Sequence, residues 1–201
     1  HTENGLDWVN DVPNFGAYMR GDPVVTYDSI GNLFYESMYG NSTSISGCKV
    51  LVSADNGATW GAPVTAINGV DKNWIACDQT SGPYANYVYT TMTYNTDGKF
   101  ARSTDHGLTF QTTFSPAPQT LAGMMVAVGP DGNTQGGSVY VVTNSGDAFS
   151  AIFNFFVSHD GGLTFSLKSS NQWTNTVGSQ VNGRHSVENM RTRPYPMIAA
   201  D

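Results

Sequence analysis

The chain has 201 residues, a formal net charge of −7, and only 12% charged side chains against 39% hydrophobic ones. Nine Lys plus Arg with no basic run argue against a nucleic-acid partner, because phosphate binding needs clustered cations; no apolar run approaches the ~20 residues of a membrane span. The charge deficit, against roughly 25% in soluble domains, is made up by Gly, Ser, Thr, Asn and aromatics, which suit short strands and tight turns and disfavour helices.

Taken in chain order, Val24, Val25 and Tyr27 make a first short strand, closed by a turn at 28–32 ("DSIGN"). A second strand follows at 33–39, a loop at 40–47 ("GNSTSISG"), a third strand at 48–53 and a fourth within 60–67. β-Branched content and Gly/Asn/Asp punctuation agree on this. The same order recurs with strands at 73–78, 86–94, 98–103 and 109–114, and again at 124–129, 138–144, 151–158 and 164–170. Asp28, Asp78 and Gly129 end the three first strands, at steps of 50 and 51 residues. The segment 193–201 ("RPYPMIAAD") reads as the first strand of a fourth unit, delayed by an insertion around 171–192. No helix-period segment of useful length occurs.

Each unit carries the same octet before its fourth strand: "SADNGATW" at 53–60, "STDHGLTF" at 103–110 and "SHDGGLTF" at 158–165. The shared pattern is S-x-D-x-G-x-T-[W/F], with starts 50 and then 55 residues apart. Asp55 is placed to accept backbone N–H bonds within its own turn, and Gly57 allows positive φ in the hairpin. Ser53 and Thr59 are expected to meet across the turn by a hydroxyl bond, with Trp60 packing back on the hairpin. Ser103, Asp105, Gly107 and Phe110 repeat these roles, as do Ser158, Asp160, Gly162 and Phe165. His106 and His159 fall at variable positions and are expected at the surface, not as metal ligands.

Units of four antiparallel strands at about 50 residues are the mark of β-propeller blades, and the octet resembles the Asp-box, or BNR repeat, of sialidases and many other propellers. The fold class expected is therefore all-β: a β-propeller of four-stranded antiparallel blades at approximately 21–70, 71–119 and 120–192, with 193–201 opening the next. The resemblance places each box at the turn between the third and fourth strands, as a fold-stabilising element on the outer side of the blade. Three blades and a strand do not close a ring of roughly six to eight, and an open stack would expose two apolar faces. The expected partner is thus the remaining half of the propeller, in a longer parent chain or a second polypeptide. The chain starts at His1 without initiator Met or leader, as expected of a processed precursor or an internal segment. Scarce Lys with abundant Asn, Thr, Ser and Tyr suits a secreted or cell-surface protein. Cys48 and Cys77 lie on different strands without metal-type spacing; a disulfide between them is open, and nothing in the sequence requires it.

Propeller sites lie over the central tunnel, which directs attention to the starts of the inner strands. Arg20, Asp22, Asp71, Lys72 and Arg193 fall there and are the candidate ligand-binding residues, either converging on one anionic ligand or closing the tunnel mouth as ion pairs. In sialidases an Arg-Ile-Pro motif opens the first inner strand, three arginines grip the substrate carboxylate, an Asp is the acid/base and a Tyr–Glu pair the nucleophile. Arg20 and Pro23 match the first motif loosely, with Gly21 and Asp22 intruding, and Arg193 is placed as a second arginine. The loop that should carry the acid, 40–47, has no carboxylate, and Glu36 on the next-door strand is a poor substitute. Two functions follow: a non-catalytic propeller binding glycan or extracellular protein, or an exo-acting sialidase-like glycoside hydrolase with an acidic sugar substrate, its remaining catalytic residues in the missing half. In the long insertion, Trp173, Asn182, Arg184 and His185 are secondary candidates for stacking on and hydrogen-bonding a sugar; a solvent-exposed flap or a contact with the missing half is the alternative. "GPDGNTQGG" (129–137) sets Asp131 and Asn133 at calcium-loop-like offsets, though an ordinary hairpin turn explains it better, and no other cofactor or metal is expected. "RGD" (20–22) matches an integrin-binding tripeptide at a strand start, and "NST" (41–43) is a glycosylation sequon.

Overall fold

Gly, Asn and Asp punctuation resolves into antiparallel hairpins throughout the computed structural model. It describes residues 1–201 apart from 132–133, 148, 175–177, 182–183, 188–189 and 201, with only the backbone described at 131, 134–135, 179–181, 184–187 and 190–191. The first sheet is β1 (Tyr18–Tyr27), β2 (Leu33–Gly40), β3 (Ile45–Ser53) and β4 (Val64–Asn68), in that spatial order. The second is β5 (Asp71–Cys77), β6 (Val88–Thr93), β7 (Gly98–Ser103) and β8 (Gln111–Phe114); the third is β9 (Met125–Asp131), β10 (Thr134–Gly146), β11 (Ser150–Ser158) and β12 (Ser166–Thr174). All neighbours within a sheet are antiparallel, and no helix occurs among the described residues.

The sheets pack on one another, and their first strands lie side by side, β5 against both β1 and β9. Between sheets one and two lie Phe34, Val50, Ile75 and Val88, with a second cluster of Met38, Cys48, Ile67 and Met92. Tyr89, Phe100, Met124, Val126 and Val141 fill the space between sheets two and three. The middle sheet is therefore covered on both faces, and every residue of β6 is buried. That explains a strand reading Val-Tyr-Thr-Thr-Met-Thr without polar alternation. Its buried hydroxyls find acceptors: Thr90 donates to Glu36, and Thr91 to the Met124 carbonyl at 3.0 Å. At the other extreme, every residue of β12 is exposed.

Two expectations about the chain's second half need correction. No strand forms over 193–200; a strand needs a hydrogen-bonded neighbour beside it, and no described segment pairs with this one. Within the insertion at 171–192 the described residues include strands: β12 continues to Thr174, and β13 (Ser179–Val181), β14 (Arg184–Val187) and β15 (Met190–Arg191) form a small separate sheet. Residues 1–16, given no role by the sequence, return over the first sheet, with the Phe15 ring edge-on to Tyr35 at 5.1 Å. Cys48 and Cys77 are both buried free thiols.

Candidate functional site

The three octets lie between the third and fourth strands of their sheets and share one hydrogen-bond scheme. Ser53 Oγ donates to Asp55 Oδ1 at 2.8 Å, while Thr59 donates its backbone N–H to Oδ1 at 2.8 Å and its hydroxyl to Oδ2 at 2.6 Å. The Gly57 N–H donates to Ser53 Oγ at 2.8 Å. Ser103–Asp105–Thr109 and Ser158–Asp160–Thr164 repeat this. The two hydroxyls therefore do not meet each other; both spend their protons on the carboxylate between them, the stronger charge-assisted acceptor. Hydrogen bonds led by the Thr59 hydroxyl hold Asp55 down at about 2. At Asp160 burial pulls the other way, but the bonds from Thr164 and Ser158 outweigh it and bring this carboxyl to about 2 as well. Carboxylates this committed to their own turns are structural.

The octet aromatics reach further than their own hairpins. Phe110 packs on both clusters between sheets one and two, and Phe165 lies edge-on to Phe100 at 4.8 Å and stacks on Phe114 at 4.5 Å, both in the preceding sheet. Trp60, in the octet of the first of the described sheets, meets Tyr35 of the same sheet. A Cβ at Gly107 would lie 3.0 Å from the Phe34 ring and one at Gly162 2.8 Å from Phe100, so these glycines permit close sheet approach as well as positive φ. His106 is not an idle surface group: Nδ1 lies 3.3 Å from the buried carboxylate of Asp28 in the first sheet. His159 Nδ1 lies 2.9 Å from Ser138 Oγ.

At the other end of the repeat the first strands of the three sheets begin alike. Asp22 (φ 50°), Lys72 (φ 50°) and Gly123 (φ 114°) all adopt the left-handed conformation just before β1 bends into its regular register, at the bulge of β5, and ahead of β9. For residues with a Cβ this costs of order 1 kcal/mol. Lys72 Nζ reaches across to Asp22 Oδ2 at 2.9 Å and sits 5.3 Å from the Tyr195 ring centroid. The hydrogen bond that Lys72 donates to Asp22, opposed in part by burial, raises the Lys72 pKa. Around this pair is a cavity of about 350 Å³, walled by Asp22, Lys72, Asn73, Trp74, Met124 and Tyr195 among others. A second depression of about 230 Å³ shares Tyr195 and contains Asp71 and Arg193. Its rim is tied down by Asn144, whose Nδ2 donates to the carbonyls of Ala122 at 3.2 Å and Pro194 at 2.6 Å.

The five candidate charges are thus not brought to one point. Lys72 and Asp22 share the larger cavity, and Asp71 and Arg193 the smaller. Arg20 is turned away, its Nη1 donating to the Asn41 and Ser42 carbonyls at 3.2 and 3.1 Å. The arginine expected to grip a carboxylate instead ties down the 40–47 loop, which has unpaired carbonyls to offer. The same bonds, with the Asp22–Lys72 pair, engage both charged ends of the 20–22 tripeptide. Glu36 is fully buried behind the cavity wall, accepting from Thr90 and, at 2.8 Å, from Asn73 Nδ2, and burial pushes it up to about 7 despite both bonds. Trp173 is 56% exposed on β12, at the opposite edge of its sheet from β9, away from both depressions. Arg184 and His185 lie on β14, and Asp131 ends β9, with side chains outside the described residues; Asn133 and Asn182 also lie outside them. Among the described residues no group of three metal-ligating side chains comes together. Burial pushes the Cys77 thiol up to about 12 and Cys48 higher still, so neither offers a thiolate nucleophile. Sequence reading missed Trp74 and Tyr195; each follows a candidate charge, Lys72 or Arg193, by two residues, which was the available signal.

No family model and no curated protein matches the chain. Among solved structures, a protein of unknown function from Dyadobacter fermentans DSM 18053 is similar over 72% of this chain and 49% of its own, with 18% identity and a TM-score of 0.50. Two structures of a polysaccharide lyase of family PL25, an ulvan lyase, one of them bound to a GlcA–Rha3S saccharide, are also similar. They match at 12% and 11% identity, each with a TM-score of 0.36 over 76% of this chain and 56% of the lyase. The chain spans about half the length of these structures.

Proposed function

We propose that this chain is part of an Asp-box β-propeller, secreted or displayed at a cell surface, that binds glycan over its inner strands without cleaving it. Packing of the four-stranded sheets with their first strands side by side, and the octet at each third turn, support the propeller reading. The observation that carries the binding reading is the 350 Å³ cavity at the inner-strand starts, where an accessible ion pair meets Trp74 and Tyr195. Its volume lies in the usual small-molecule range of roughly 300–1,000 Å³. Hydrolysis lacks its parts here: Arg20 is engaged by loop carbonyls, the 40–47 loop has no acid, and Glu36 is sealed from solvent. Other blades complete the ring in the same parent chain or a second polypeptide. Half-buried Tyr140 and Phe155 beside the 198–200 segment, and exposed Trp8 and Val12, are the surfaces that they would cover.

A glycan array probed with the intact protein, run beside a fluorogenic sialoside assay, tests this. The expected result is saccharide binding without turnover. An array without any saccharide signal overturns the binding reading, and turnover lost on Arg20→Ala moves the protein to the hydrolases. Sedimentation of the intact sample tests completeness: a stable, monodisperse 21.6 kDa monomer would refute the need for further blades.

A further inference from the structure

We infer that the Asp22–Lys72 pair is a recognition element for adjacent hydroxyls of a neutral sugar residue, a reading that rests on the glycan-binding proposal and narrows its ligand class. The backbone supplies the first reason. Three equivalent turns open the inner strands in the left-handed conformation, and the third uses Gly123, the residue that bears this conformation without strain. The other two keep Asp22 and Lys72, so side chains are retained where the turn alone would favour glycine. Both remain accessible at the cavity, with side chains 33% and 35% exposed.

Charge supplies the second reason. Lys72 is neutralised by Asp22 at 2.9 Å, and the neighbouring depression holds one Asp and one Arg, so the site as a whole carries no excess positive charge. A sugar carboxylate entering beside Asp22 would meet a like charge, within a protein of net charge −7. A diol meets none of this. One hydroxyl donates to the carboxylate and its neighbour accepts from the ammonium, both charge-assisted bonds. The half-buried Trp74 beside the pair offers an apolar wall and a ring face to the sugar's C–H groups.

The test uses the full chain labelled with ¹⁵N and follows the Trp74 indole N–H resonance, assigned with Trp74→Phe. The probes are methyl α-mannoside, methyl β-glucoside and methyl β-galactoside, with digalacturonate as the acidic probe. At least one neutral glycoside should shift the resonance saturably and independently of salt. Asp22→Gly and Lys72→Gly should each weaken it by roughly tenfold or more, the loss of a charge-assisted bond, and both put a residue suited to positive φ in place, so the fold persists. Unchanged glycoside affinity in both variants, with lowered thermal stability, would make the pair a structural clamp and overturn the inference. A salt-sensitive digalacturonate shift abolished by Arg193→Ala would overturn the neutral class while leaving glycan binding intact. A positive array with a silent Trp74 resonance would place binding elsewhere and sink the site. A negative array sinks the underlying function as well.

Discussion

Replacing Glu36 with glutamine should stabilise the protein at pH 8 and leave it unchanged near pH 4. Glu36 is wholly buried between the first two sheets, and desolvation lifts it from 4.5 to about 7 against the pull of bonds from Thr90 and Asn73. The native state therefore keeps a proton that the unfolded chain releases between those values. Its contribution to stability is complete below pH 4.5, shrinks as pH rises, and is lost through pH 7. With each tenfold in proton affinity equal to about 1.4 kcal/mol, ionised Glu36 costs the fold about 3 kcal/mol at pH 8. The glutamine of the Glu36→Gln variant leaves no more polar atoms unpartnered than the wild type. Its side-chain carbonyl accepts from Thr90, and with the Asn73 amide turned over its own amide donates to Asn73 Oδ1, Nδ2 then taking the place of the one buried atom that has no partner in the wild type. Urea unfolding followed by fluorescence at pH 4, 6, 7 and 8 would read the difference between variant and wild type. It should rise from about 0 to about 3 kcal/mol across that range. A difference that stays flat with pH, or a variant weaker than wild type at pH 8, would refute the desolvation account.

Gly107→Ala and Gly162→Ala should each destabilise by about 2–3 kcal/mol, combining positive φ with a methyl pressed onto Phe34 or Phe100, measured as a drop in denaturation midpoint. Asp160→Asn should remove an acid-side contribution: with its pKa held near 2, Asp160 supports the fold above its ordinary 3.8 and loses that role as pH falls through 2. Wild-type and variant stability curves should accordingly converge below pH 2; parallel curves would contradict this. Asn144→Ala should cost about 1–3 kcal/mol and free the 194–195 backbone, seen as faster amide exchange at Tyr195 than in wild type. Exchange left unchanged would show that Pro194 is held by other means.

The strands and octet turns were legible in the chain because their information is local. A turn that takes its acceptor from Asp55 and its donors from Ser53 and Thr59 is written within seven residues, and period-two burial of β1 or β5 follows from side-chain alternation. Even there, hydroxyl partners were misassigned, since spacing says which groups are near but not which acceptor is stronger. The candidate charges were legible as a set and not as a site. Arg20 and Lys72 occupy comparable places in the repeat, yet one tethers a loop and the other crosses to the next sheet, because left-handed turns and bulges redirect side chains over distances of several ångströms. Glu36 shows the same division most plainly. Its identity and strand are in the sequence, but its altered proton affinity exists only when a second sheet, carrying Thr90 and Asn73, closes over it and takes the water away. The sequence by itself determined the repeat, its hairpins and the turn chemistry, all made by residues close along the chain. Which charges pair, which cavity they face and which carboxyl loses its solvent were decided only when separate sheets met, since desolvation and ion pairing depend on neighbours that the chain brings together from about 50 residues away.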